Sequence, residues 1–95
     1  MRLTAYEVNA IKESAQEAFG PAVEVFLFGS RVDDEKKGGD IDLYIKAKTG
    51  NDIDHKIKFL VKLEQKIGEQ KIDVILAVDK NRPIEQQAIK TGVLL

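Results

Sequence analysis

Apolar residues recur along this chain with two different periods, and the switches between them mark out its elements. Between Thr4 and Phe19, the residues Val8, Ile11, Ala15, Ala18 and Phe19 fall at helical spacing. Thr4 followed three residues later by Glu7 is a capping-box signature, so the pattern predicts a first helix over 5–19, stopped by Gly20-Pro21. Val23 to Phe28 (VEVFLF) is rich in β-branched and aromatic residues and predicts a first strand that Gly29 ends. A second strand opens with Asp40-Ile41-Asp42 and runs to Ala47, with Ile41, Leu43 and Ile45 on one side. Thr49-Gly50-Asn51-Asp52 is a loop with capping residues, and Ile53, Ile57, Leu60, Val61 and Ile67 mark the apolar face of a long middle helix ending at Gly68. Lys71 to Val78 predicts a third strand with Ile72, Val74, Leu76 and Val78 on one side and Asp73, Ile75 and Ala77 on the other. Pro83 suits the first turn of a last helix through Lys90, and Thr91 to Leu95 closes the chain with a short extra strand.

Connection lengths turn these elements into a topology. Residues 31–39 are too few for a crossover, since parallel neighbours need about a dozen connecting residues or more, although a short helical turn from Ser30 fits. Strands one and two are therefore expected to be antiparallel, which sets Gly29 and Ser30 beside Asp40 and Asp42. The helical connection after Ala47 is long enough to place strand three parallel to strand two. The expectation is one α+β domain over residues 1–95, with a small mixed β-sheet and helices packed mainly on one face.

Composition narrows the function classes. Charged residues are 33% of the 95, but the formal net charge is only -1, so no global positive field exists to hold a nucleic acid and no stable nucleic-acid binding by the chain itself is expected. The absence of Cys excludes disulfides, zinc thiolates and a thiol nucleophile, and agrees with a cytoplasmic protein. Arg2, Glu7, Lys12 and Glu13 stand where a signal peptide would be apolar, and no apolar run approaches the ~20 residues of a membrane helix, so no membrane association is expected.

The chemistry gathers on strand two. Asp is depleted in strands, and with a period of two Asp40 and Asp42 point to the same side, ~6.5 Å apart. Adjacent carboxylates repel unless a cation joins them, and such oxygen clusters suit Mg2+ when phosphate oxygens complete the shell. Gly38-Gly39 just before them allow close approach of a ligand. Asp73, near the start of a parallel neighbour, could bring a third carboxylate to the same place. A calcium loop is excluded, because Tyr44 stands where a third oxygen ligand is needed and no Gly follows. A solvated strand end is the bland alternative, which Gly29-Ser30 and Asp73 together argue against. His55, between Asp54 and Lys56, is expected at the surface, and Lys58, Lys62 and Lys66 form a basic stripe whose default meaning is a solvated face. Tyr6 and Tyr44 are expected as packing or rim residues, Tyr44 lying on the side of the carboxylates.

Phe28-Gly29-Ser30, nine intervening residues, Asp40-Ile41-Asp42-Leu43 and later Ile72-Asp73-Val74 resemble the signature of the minimal nucleotidyltransferases of the DNA polymerase β superfamily, and more narrowly their MntA-like antitoxin type. Haloacid-dehalogenase phosphatases also use Asp-x-Asp, but there the carboxylates end a strand, whereas these begin one. The resemblance implies the nucleotidyltransferase fold, two Mg2+ ions, and Asp40, Asp42 and Asp73 as both metal ligands and catalytic carboxylates. Gly29 and Ser30 would then receive the β and γ phosphates of ATP or another nucleoside triphosphate, with Arg31 in the nucleotide site and Lys36 and Lys37 as further counter-charges. It also implies transfer of a nucleoside monophosphate, AMP from ATP, to an acceptor hydroxyl. The expected partner is a helical HEPN-type protein, adenylylated as the toxin of a toxin-antitoxin pair. Two alternatives stay open: an inactive nucleotide-binding module that neutralises its partner by contact, and the nucleotide-binding subunit of a two-component enzyme with a small-molecule acceptor. Oligomeric state is open, a homodimer included.

Overall fold

Thr4 and Glu7 close the capping box that their spacing predicts. Thr4 Oγ1 accepts from the Glu7 N–H at 3.1 Å and Glu7 Oε1 accepts from the Thr4 N–H at 3.0 Å. The computed structural model of the protein describes residues 3–29 and 40–95. The capped helix is α1 (Ala5–Phe19), followed by β1 (Glu24–Phe28), β2 (Ile41–Lys46), α2 (Ile53–Ile67), β3 (Ile72–Leu76), α3 (Pro83–Thr91) and β4 (Val93–Leu94). Among the described residues the sheet has the order β3-β2-β1-β4. β1 is antiparallel to β2 and to β4, and β3 is parallel to β2, as the connection lengths require.

Alternation along the strands gives the sheet two unlike faces. Val25, Leu27, Ile41, Leu43, Ile45 and Val74 form one core with Ile11, Ala15, Ala18 and Phe19 of α1 and Phe59 and Leu63 of α2. The opposite parity, Phe26, Phe28, Tyr44, Ile75 and Ala77, packs around Ala88 of α3. Two helices thus cover one face and α3 covers part of the other. That second face is where Asp42 and Asp73 emerge.

Two expectations about apolar faces are corrected. On α2 the stripe of Ile53, Ile57 and Val61 is 61, 52 and 50% exposed, while Phe59 and Leu63, outside the predicted stripe, are fully buried. Apolar residues occupy more than half of the circumference of α2, so periodicity alone did not define its rotation. The Phe59 ring, 6.1 Å from that of Phe19, takes the place between α1 and the sheet, and Leu60 and Ile67 flank it. Val78, expected on the apolar side of the third strand, is exposed because β3 ends at Leu76.

The basic stripe is also less uniform than a solvated face. Lys66 reaches across to α1, where its Nζ lies 2.5 Å from Glu17 Oε1 and 3.2 Å from Ser14 Oγ. His55 is half-exposed, with Nδ1 2.7 Å from the Oδ1 of Asp52, the N-cap of α2, and its ring stacked on Phe19.

Candidate active site

Strand register builds the site. Phe28 is opposite Asp42, and Asp42 is opposite Asp73, so the end of β1, the second residue of β2 and the second residue of β3 form one row across the sheet. Because Ile41 and Leu43 are fully buried towards α1 and α2, Asp42 must face the other way. Gly29 follows Phe28 with φ +77°, and a Cβ there would collide with Asp42 Oδ2. Only glycine lets the chain turn so close to that carboxylate.

The electrostatics of the row follow from its geometry. Partial burial raises the Asp42 pKa above its usual 3.8, and the negative charges of Asp73 and Asp40, together with a hydrogen bond to Asp73, raise it further. Asp40 precedes β2, and its Oδ2 lies 3.5 Å from Lys71 Nζ. Among the described residues no three acidic or histidine side chains already close into a metal-holding group. Asp42 and Asp73 instead form a close pair, with Asp40 nearby and drawn to Lys71. Like charges held this close repel one another, so the pair favours either a shared proton or a cation. The donor set fits a hard divalent cation: oxygen ligands, crowded and partly desolvated, whose repulsion a cation would relieve.

The row opens into a cavity of about 620 Å3, lined by Phe28, Gly29, Asp42, Asp73 and Ile75 on the sheet, Lys56 and Leu60 of α2, and Ile84 and Gln87 of α3. The structure therefore brings Gly29, Asp42 and Asp73 together on one cavity wall. Ser30, Arg31, Lys36, Lys37, Gly38, Gly39 and the short helical turn expected at Ser30 lie outside the described residues.

Residues 9–95 match the sequence family described as Polymerase beta, Nucleotidyltransferase. The chain belongs to that family. No individual curated protein matches it at a significant level. The mixed sheet with three helices is consistent with the nucleotidyltransferase fold, and members of the family generally act with divalent metal ions. No helix among the described residues is long and apolar enough to cross a membrane.

Two features of this nucleotidyltransferase domain have no counterpart in its motif. Glu85 of α3 is fully buried, yet its carboxylate accepts from Tyr44 Oη at 2.8 Å, the N–H groups of Val78 and Asp79 at 3.1 and 2.8 Å, and Arg82 Nε at 2.7 Å. Burial alone would raise its pKa, but these donors outweigh it and hold the group down at about 2. Tyr44, expected as a packing or rim residue, is packed under α3 and bonded to Glu85. The Arg82-Pro83-x-Glu85 spacing is the sequence signal for half of this cluster. The second feature is Lys56, which reads in sequence as one more charge beside His55 and only folding carries to the cavity.

Proposed function

We propose that this domain transfers AMP from ATP to a hydroxyl of a helical HEPN-type partner protein, as the antitoxin of a toxin-antitoxin pair. The observation that supports transfer is the row of Gly29, Asp42 and Asp73, with Asp40 at its side, on the wall of one cavity. The resemblance of the Gly-Ser and Asp-x-Asp spacing to the antitoxin-type minimal nucleotidyltransferases supports the nucleotide and the partner.

Asp40, Asp42 and Asp73 would hold two Mg2+ ions, which when bound neutralise charge on the triphosphate and on the departing pyrophosphate. Gly29 lets backbone N–H groups approach the β and γ phosphates, where Ser30 adds a hydroxyl donor and Arg31 a counter-charge. The acceptor oxygen forms its bond to the α-phosphorus as the bond from that phosphorus to the β-bridging oxygen breaks, and pyrophosphate departs with the electron pair. Asp73, the most exposed carboxylate of the row, receives the hydroxyl proton.

The test is transfer of label from α-labelled ATP in Mg2+, with and without the protein that co-purifies with the chain. Label should appear on that protein, depend on the divalent ion, and fall at least a hundredfold with Asp40→Asn. Label in a small molecule instead would identify a two-component enzyme. Absence of transfer with every nucleotide and metal, combined with neutralisation of the partner by the Asp40→Asn chain, would replace catalysis by contact alone.

A further inference from the structure

The cavity continues past Asp73 and around β3, the outermost strand on that side among the described residues, and its lining changes there. At the Gly29 end stand the carboxylates. Its lining beyond them includes Leu60, Ile72 and Val74, with Ile84 and Gln87 of α3, and Lys56 supplies the one cation among the described residues that line it.

Several basic residues of the domain have no hydrogen-bond or ion-pair partner among the described residues, and Lys62 is partly buried like Lys56; what sets Lys56 apart is that it lines this cavity. Lys66 pairs with Glu17, Lys71 with Asp40 and Arg82 with Glu85. Lys56 is partly buried, yet no described residue forms a hydrogen bond or ion pair with it. It is also the fourth residue of α2, where the positive end of the helix disfavours a cation. An anionic ligand would answer both costs.

Which substrate supplies the anion follows from the order of the row. In an in-line displacement the attacking and leaving oxygens lie on opposite sides of the phosphorus. With the β and γ phosphates at Gly29, pyrophosphate leaves towards that end, and the attacking hydroxyl must come from the side of Asp73 and Lys56. We infer that this end of the cavity is the acceptor subsite, and that Lys56 pairs with a carboxylate of an acidic protein segment that carries the acceptor hydroxyl. A protein acid fits better than a nucleic-acid phosphate, because a net charge of -1 offers no wider field for a polyanion. The assignment rests on the transfer reaction proposed above.

Label transfer from ATP to the co-purifying protein, titrated in each substrate separately, tests it. Lys56→Met, which keeps the aliphatic stem, should raise the KM for the acceptor about tenfold while the KM for ATP and the kcat stay within about twofold, and Lys56→Arg should restore the acceptor KM. Mapping the labelled hydroxyl should find an Asp or Glu within a few residues, and reversing that charge should be rescued by Lys56→Glu. An unchanged acceptor KM in Lys56→Met, or a rise confined to the KM for ATP, would overturn the acceptor subsite while leaving the transferase intact. A wild-type chain that transfers no label would instead overturn the transferase, and the subsite with it.

Discussion

Ionising Asp42 comes at a cost to the fold. Its pKa is raised by burial first and by Asp73 and Asp40 after that, so the folded state holds this proton more tightly than the unfolded chain does. For an acid with a raised folded pKa, stability declines as pH rises from the ordinary 3.8 through the folded value. Asp42→Asn removes the charge but keeps the shape beside Gly29. In EDTA at pH 7 its melting temperature should therefore exceed that of wild type, by about 2–5 °C if the relief is below ~1 kcal/mol. Added Mg2+ should raise the wild-type transition and leave that of Asp42→Asn nearly unmoved. A lower melting temperature for Asp42→Asn in EDTA would show that the carboxylate stabilises the fold. At this scale the site was legible in the sequence where it depends on parity along a strand: Asp42 opposite Ile41 and Leu43, and Asp73 opposite Ile72 and Val74. The pairing of Asp40 with Lys71, and the exposure of Lys56 to the cavity, depend on how elements dock and leave no local pattern.

At the scale of elements, α3 is held to the sheet by a buried charge as much as by apolar contact. Ala88 is its one fully buried apolar residue, whereas Glu85 ties together the β3–α3 connection, through Val78, Asp79 and Arg82, and the centre of the sheet, through Tyr44. Arg82 Nη2 also donates to the carbonyl of Leu76, the last residue of β3, at 2.9 Å. Removing the carboxylate strands four donors, two of them backbone, and Glu85→Ala should cost roughly 3 kcal/mol in denaturant unfolding. The pH dependence has two ends. Glu85 is depressed from 4.5 to about 2, so its contribution is complete above pH 4.5 and is lost as pH falls towards 2. Tyr44 is raised from 10 to about 12 by burial first and by its bond to Glu85 next, so its contribution is complete below pH 10 and is lost as pH rises towards 12. Melting temperatures between pH 2 and 5 should fall steeply for wild type and more gently for Glu85→Gln; parallel curves would show that another carboxylate governs acid unfolding. Element order and strand direction were readable beforehand because short and long connections permit different pairings. Of the Glu85 cluster only the Arg82-Glu85 half leaves a local spacing; its bonds to Tyr44, Val78 and Asp79 leave none, since a glutamate between Ile84 and Gln86 on a polar helix looks like any solvated residue.

Across the whole molecule, the division of labour between the two sheet faces decides which residues the fold can spare. All of the interhelical packing that supports the carboxylate face from behind passes through the layer of α1 and α2, where Phe59 meets Phe19 over Leu27, Ile41, Leu43 and Ile45. A domain of this length has only about 5–15 kcal/mol of net stability, and truncating a buried Phe removes roughly 3–5 kcal/mol of it. Phe59→Ala should therefore unfold much of the population near physiological temperature and abolish any activity indirectly. Ile57→Ser lies two positions away on the same helix and offers a direct contrast, because the sequence pattern alone had assigned Ile57 to the core. Its side chain is half-exposed, so its loss should change stability by no more than about 0.5–1 kcal/mol. Circular-dichroism melts of the two variants read the rotation of α2 directly. If Ile57→Ser proved as damaging as Phe59→Ala, the helix would have to be turned so that the stripe of Ile53, Ile57 and Val61 faced the sheet. That rotation would also displace Lys56 and Leu60 from the cavity wall, so the same pair of melts bears on where an acceptor can enter.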